Sequence, residues 1–278
     1  MPQYQASRTA IGAALYRAAH QLLDCPLVFA DPLAVRIMDP PVVRALREGR
    51  DARTGRLGLR AFIAARSRLA EDRLAAAYRR GVRQYVLLGA GLDTFGYRNE
   101  LAGLRVFEVD QPATQASKRQ RLAAAGIAVP PSVTFAAVDF ERETLADGLT
   151  RAGLELAAPS QFAMLGVTMY LSADTVRGAA SFVAGLPAGS EIVFDYAALE
   201  SADQTAHAAA DSLSARVAAA GEPFTAVFPP GELHLMLTSV GFTMIEDFDA
   251  AALNSRYFAG RADGLAVRGR ARIAAARN

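Results

Sequence analysis

A chain of 278 residues with 52% hydrophobic and 21% charged residues can bury one large core, and it fits a single α/β body with an appended cap better than two independent domains. The formal charge is +2 and arginine is spread along the chain, which excludes the clustered basic stripe of a nucleic-acid binder. A lone cysteine, Cys25, excludes a disulfide framework and a thiolate metal cluster, and His20, His207 and His234 share no metal-binding spacing, so no metal is expected.

No run approaches the ~18 apolar residues of a membrane span, and the amino terminus lacks a basic segment followed by an apolar core. The expectation is a soluble cytoplasmic protein, monomer or homodimer, without membrane or nucleic-acid partners. Residues 7–23 carry helical spacing, with Ser7 able to cap and Ile11, Leu15, Ala18 and Leu22 on one stripe. Cys25 reads as a small buried or helix-end residue. Asp31-Pro32 and Asp39-Pro40-Pro41 break and restart short helices. Residues 48–58 read as a mobile loop, and a longer helix runs from about Leu59 to Arg80, closed by Gly81. Residues 1–80 lack strand alternation and are expected to form a helical cap over the crevice of a core spanning 81–278.

From Gln84 the pattern changes. Strands near 84–88, 104–109, 133–138, 161–166 and 189–196 alternate with helices, which argues a parallel sheet covered on both faces. An alanine-rich helix over 198–220 reads as an insertion on the substrate side; Phe228-Pro229-Pro230-Gly231 begins another helix, followed by strands over 242–248 and around 267–275. Lys118, the single lysine, falls on a helix expected to face solvent, which argues against Schiff-base chemistry.

The strand ending at Leu88 runs into Gly89-Ala90-Gly91-Leu92-Asp93, and a second strand delivers Asp110 nineteen residues after Gly91. Glycines let the backbone approach a ligand closely, and a carboxylate beyond a strand end suits the hydroxyls of a ribose. A dinucleotide fingerprint requires a third glycine three residues on, and that position is Thr94. Without a diphosphate to cradle, S-adenosylmethionine fits the turn better than a dinucleotide. Arg66 falls on the apolar stripe of its helix while Arg68 points away. An inward guanidinium needs an anion, the carboxylate of the cofactor's amino-acid tail or a core-edge aspartate; otherwise its aliphatic stem lies over apolar surface with the head in water.

The blocks LGAGLDTFGYR (88–98), FEVDQP (107–112) with Lys118, VDFE (138–141), LGVTMYL (165–171) and SRTA…FADPLA (7–34) stand in order along nearly the whole chain. Together they resemble the leucine carboxyl methyltransferase family, in its bacterial branch of class I S-adenosylmethionine-dependent O-methyltransferases. The resemblance implies a Rossmann-like α/β sheet, mostly parallel with an antiparallel carboxyl-terminal pair, an amino-terminal helical cap, and S-adenosyl-L-methionine as cofactor. It also implies an arginine at the place of Arg66 holding the cofactor's carboxylate. The family places a glutamate where this chain has Leu165, so one cofactor contact is absent or supplied elsewhere.

The cofactor-binding candidates are therefore Arg8, Arg66, Gly89, Ala90, Gly91, Asp93, Asp110, Gln111, Asp139, Phe140, Leu165 and Gly166. Asp110 is the ribose candidate, with Glu108 on the same strand face in reserve, and Asp139 and Phe140 are candidates for the adenine. Arg8, on the stripe of Ile11 and Leu15, is a weaker partner of Arg66 or else a solvated helix-start residue. Tyr170 is the catalytic candidate, able to hydrogen-bond a substrate oxygen or simply to pack. Asn254, Arg256, Tyr257 and Arg261 form either an anion-binding flap or a surface turn. The expected activity is methyl transfer to a carboxylate or phenol of a small molecule or peptide, in secondary metabolism. A cofactor-binding regulator without catalysis and an NAD(P)-dependent oxidoreductase are the alternatives.

Overall fold

The computed structural model describes residues 8–138, 143–199 and 226–278. Asp139, Phe140, His207 and all but the first two residues of the expected 198–220 helix lie outside the described residues.

Among the described residues four helices precede the first strand: α1 (Arg8–Leu23), α2 (Leu33–Arg36), α3 (Pro40–Arg47) and α4 (Leu57–Arg79). Pro40 enters α3 at its first turn, where a missing amide hydrogen costs nothing. The stretch expected as a mobile loop is a hydrogen-bonded turn: the Asp51 carboxylate accepts the amide of Arg53 at 2.8 Å and its carbonyl that of Thr54 at 3.0 Å. α4 starts two residues earlier than its apolar pattern suggests and ends, as expected, before Gly81, which takes φ +103°. Cys25 follows α1 and is exposed, so the buried alternative is wrong; the chain there is leaving the helix for the surface.

Among the described residues seven strands form one sheet: β1 (Gln84–Leu88), β2 (Arg105–Asp110), β3 (Val133–Ala137), β4 (Gln161–Met164), β5 (Glu191–Ala197), β6 (Met244–Phe248) and β7 (Ala271–Arg277). Their order is β3-β2-β1-β4-β5-β7-β6. The first five are mutually parallel, and β7 runs antiparallel to both β5 and β6. The expected mostly parallel sheet with an antiparallel carboxyl-terminal pair is present, with the last strand inserted inside the edge strand. β1 is buried at all five positions, as befits a strand covered on both faces.

Among the described residues the intervening helices are α5 (Pro112–Ala124), α6 (Leu145–Arg151), α7 (Ala173–Ala184), α8 (Pro230–Ser239) and α9 (Ala250–Tyr257). One face of the sheet, with Val86, Leu88, Phe107, Phe162 and Phe194, carries α6, α7 and α8. On the other, Tyr85, Leu87, Val106, Ala163 and Val193 pack against α4 and α9. A third cluster joins α1, α2 and α3 to Leu122 of α5 and Leu92 of the glycine turn, so α1 is seated beside the end of β1. Among the described residues no helix is long and apolar enough to cross a membrane.

Lys118 corrects the sequence expectation. It is 1% exposed and its Nζ lies 2.7 Å from Glu108 Oε2 on β2. Gln115, Lys118 and Leu122 recur at helical spacing on the buried face of α5, which places the lysine on the inward stripe.

α1 and α4 are joined by a buried polar clamp. His20 Nε2 accepts the amides of Val28 and Phe29 at 3.1 and 3.3 Å, which puts the ring proton on Nδ1, donated to Asp24 at 2.7 Å. Arg60 grips both oxygens of the same carboxylate at 2.8 and 2.7 Å. Burial pushes the Asp24 carboxyl up, but the hydrogen bonds from His20 and Arg60 outweigh it and hold it below the ordinary aspartate value. A depressed carboxyl stabilises the fold above its unfolded value and loses that contribution as pH falls through its folded one. Asp24→Ala is expected to cost ~3–5 kcal/mol at neutral pH by urea unfolding, because it leaves Arg60 charged and unpaired. The acid limb of the stability profile should be shallower in the variant than in the wild type.

Candidate functional site

The strand order reverses between β1 and β4, and ligands of open α/β sheets bind in the crevice at such a point. A cavity of about 570 Å³ lies there, lined by the ends of β1 and β4, the glycine turn, Asp110 and Gln111, the inner face of α1, and Arg66 and Ser67 of α4. That size lies in the range of small-molecule sites.

β1 leaves the sheet through Gly89 (φ +66°) and Gly91 (φ +47°). A Cβ on Gly89 would stand 2.4 Å from Val167 Cγ2, and one on Gly91 3.1 Å from Ala10 Cβ, so both conformation and packing demand glycine. The turn is tied to β2 twice: the Ala90 amide donates to the Val109 carbonyl (3.0 Å) and the Gly91 amide to Asp110 Oδ2 (2.7 Å). Asp110 Oδ1 also accepts the Gln111 amide at 2.8 Å, where α5 begins. Burial raises the Asp110 carboxyl above its usual range, against the opposing pull of the Gly91 and Gln111 amides.

Asp93 accepts the Phe95 amide at 2.7 Å and faces Arg17 Nη1 at 3.5 Å. Burial alone would raise this carboxyl; Arg17, Lys118 and Arg98 reverse the effect and leave it low. Arg17 also donates to the Leu92 carbonyl and faces Asp31 at 3.5 Å. A single α1 side chain thus binds the segment after α1 to the turn.

The opposite wall follows β4. Leu165, Gly166 and Val167 lead into a short 3-10 turn, Thr168–Tyr170, and Tyr170 and Leu171 line the cavity. Gly166 takes φ +72°, and a Cβ there would lie 2.9 and 3.0 Å from the two terminal nitrogens of Arg66. Arg66 is 8% exposed and donates from Nη1 to Asp195 Oδ2 at 2.7 Å. Its Nε is buried without a hydrogen-bond partner. Both anions anticipated for this arginine are thus in question at one place: the core-edge aspartate is present, and another edge of the guanidinium is left over.

Gly89, Ala90, Gly91, Asp93, Asp110, Gln111, Leu165, Gly166, Arg66 and Tyr170 are brought together around this cavity. Arg8 begins α1, and its side chain is outside what the structure describes, as are Asp139 and Phe140. Glu108 does not serve as a reserve for Asp110: it is buried against Lys118 and Tyr97, whose hydroxyl donates to it at 2.8 Å. The Asn254–Arg261 cluster is structural. Asn254 brackets the backbone of Val267, Tyr257 donates to Asp72 at 2.9 Å, and Arg261 pairs with Asp263 and the Pro26 carbonyl.

Arg17 and Asp195 were not anticipated. Arg17 is an inward arginine among Ala14, Ala18 and Ala19, and the reasoning applied to Arg66 finds it. Asp195 is an acid within the apolar run of β5, a position that demands a cation.

The sheet order, the crevice at the reversal and the glycine turn with its strand-end carboxylate are those of a class I S-adenosylmethionine-dependent methyltransferase. A structure from Thermobifida fusca titled a "putative methyltransferase" shares this fold, with a TM-score of 0.57 and 17% identity over 100% of this chain and 96% of that one. The sequence pattern of the leucine carboxyl methyltransferase family matches residues 10–184. The Bacillus subtilis protein "Putative S-adenosyl-L-methionine-dependent methyltransferase YktD" is 30% identical over 294 residues, covering 96% of both chains. A Saccharopolyspora erythraea protein of the same description is 34% identical over 196 residues, covering 69% of this chain and 67% of its own. The chain belongs to the leucine carboxyl methyltransferase family and is an S-adenosyl-L-methionine-dependent methyltransferase. The oxidoreductase and non-catalytic alternatives give way to this family membership.

The chemistry of the cavity suits this cofactor: a carboxylate at the end of β2, a glycine turn open to close approach, and a buried guanidinium with an unpartnered Nε. Gly89→Ala tests the turn. The positive φ alone should cost ~1–3 kcal/mol, and the clash with Val167 should add to it. Gly89→Ala/Val167→Ala should recover only the steric part, measured by urea unfolding.

Proposed function

We propose that the enzyme methylates an oxygen of a carboxylate on a small molecule or peptide, in the cytoplasm, as a monomer or homodimer serving secondary metabolism. The observation that carries this choice is the lining of the cavity: among the described residues its titratable side chains are Arg17, Arg66, Asp93, Asp110 and Tyr170, with no histidine or lysine. Asp93 and Asp110 are already engaged by backbone amides. An acceptor that arrives as an anion needs no base, and a carboxylate is one at neutral pH. A phenol would need deprotonation, which keeps it second.

Arg66 would hold the carboxylate of the methionine tail through its free edge, with Arg8 as a weaker partner. Asp110 would accept from the ribose, Asp93 would face the tail's ammonium, and Gly89, Ala90, Gly91, Gln111, Leu165 and Gly166 would shape the walls. Asp139 and Phe140 would meet the adenine. When bound, the cofactor supplies a methyl group already activated by its sulfonium. The protein's task is then alignment and exclusion of water, worth up to ~7–11 kcal/mol of the barrier in well-oriented systems. Tyr170 would orient the acceptor oxygen. Residues 1–80 would act as the cap and 81–278 as the core, with α1 closing the crevice through Arg17.

Labelled cofactor with a panel of carboxylic and phenolic acceptors tests the assignment. A methyl ester releases its label as methanol in alkali; label that stays put as an ether or an amine would overturn the carboxylate. Affinity for S-adenosylhomocysteine should fall as acid protonates Asp110, whose raised carboxyl brings that limb closer to neutrality, and Asp110→Asn should weaken binding and abolish the limb. The effect on folding has the opposite sign. A raised carboxyl contributes most below its unfolded value, so its ionisation at neutral pH costs the fold stability.

A further inference from the structure

β5 is buried from Glu191 to Tyr196, and Asp195 within it is 0% exposed. A carboxylate at such a position costs several kcal/mol unless it is paired and hydrogen-bonded. Asp195 uses one oxygen for Arg66 Nη1 (2.7 Å) and the other for the Gly166 amide (2.5 Å), while its carbonyl accepts the Thr168 hydroxyl at 2.5 Å. One residue therefore joins α4, the end of β4 and the turn leading to Tyr170. Asp195 itself does not line the cavity, whereas Arg66 and Gly166 do.

The guanidinium is fixed from two sides. Asp195 takes Nη1, and the absent Cβ of Gly166 leaves room for the terminal nitrogens, which would stand 2.9 and 3.0 Å from it. Nε remains buried and unpartnered. Because Nε–H and the Nη2 hydrogens lie side by side, that edge is a two-donor fork of the kind a carboxylate fills with parallel hydrogen bonds. The pair also costs something: Asp195 offsets part of the charge of Arg66, reducing its long-range pull on anions. A pair that weakens attraction but fixes orientation serves recognition of shape.

We infer that Asp195 is a positioning residue that holds the guanidinium of Arg66 at the cavity wall with its Nε–Nη2 edge uncommitted and thereby sets recognition of the cofactor's amino-acid tail. The inference rests on the assignment of Arg66 to the tail carboxylate. Leu165 leaves the end of β4 without an acid, and the carboxylate that serves this wall comes from the neighbouring strand.

The test compares two ligands by calorimetry: S-adenosylhomocysteine, and 5′-methylthioadenosine, which keeps the nucleoside and thioether but lacks the amino-acid tail. Asparagine at position 195 puts an NH2 donor in place of one of the two carboxylate oxygens, so it faces either Arg66 or Gly166 with a donor and that bond is lost. Asp195→Asn should lower the affinity for S-adenosylhomocysteine about 10- to 100-fold, the scale of a misdirected charge-assisted hydrogen bond, and leave that for 5′-methylthioadenosine within about twofold. Asp195→Glu, which keeps the charge and adds one methylene, should give the same selective loss and serves where the asparagine variant does not fold. Equal losses for both ligands, or none, would overturn the inference. Arg66→Ala separates the two levels: if it leaves the preference for the tailed ligand intact, the assignment of Arg66 fails; if it removes that preference while the Asp195 variants retain it, only the role of Asp195 fails.

Discussion

Two hydrogen bonds, each from a glycine amide to an aspartate carboxylate, frame the crevice. Where the strand order reverses, β1 and β4 lie side by side but their chains depart in opposite directions, so no backbone connection spans the gap. Each departs through glycine at positive φ, and each glycine amide is captured by an aspartate from the next strand outward: Gly91 by Asp110 of β2, Gly166 by Asp195 of β5. The arrangement is nearly symmetric about the crevice in its bonding and asymmetric in its exposure. Asp110 reaches the cavity, while Asp195 lies behind Arg66.

Around that frame the polar groups of the interior are linked in series. Arg17 connects Asp31 to Asp93, Arg98 connects Asp31 to Glu71, and Lys118 sits on Glu108 beneath the turn. Buried charges of this kind are weak sources of net stability, since desolvation offsets most of the attraction, but an unpaired member would be costly. Their effect is to hold α1, α4 and the glycine turn in one relative position. The position of α1 closes one side of the cavity, so the charge network is a determinant of access as well as of fold.

The same physics underlies the acceptor proposed for this enzyme. Among the described residues the acids of the cavity are already bound to backbone amides and its arginines are permanent cations, which leaves little with which to remove a proton. It can still align a substrate that arrives charged. On the proposed reading, electrostatics built for binding the cofactor narrows what can be methylated.

Much of this was legible in the sequence, because it depends on local rules. Strand and helix periods, glycine at positions needing positive φ, and an acid at the end of the second strand are dictated within a few residues, and the family blocks added their order. The inward direction of Arg66 followed from helical spacing, and Lys118 would have followed from the same spacing had Gln115 and Leu122 been weighed with it. What only the tertiary structure decided were the pairings between distant elements. Asp195 meets Arg66 from 129 residues away, Glu108 turns to Lys118 rather than to the crevice, and the final strand inserts between β5 and β6. A residue's type fixes what partner its charge or amide requires, but the sheet's register and the packing of helices on it fix which residue provides that partner.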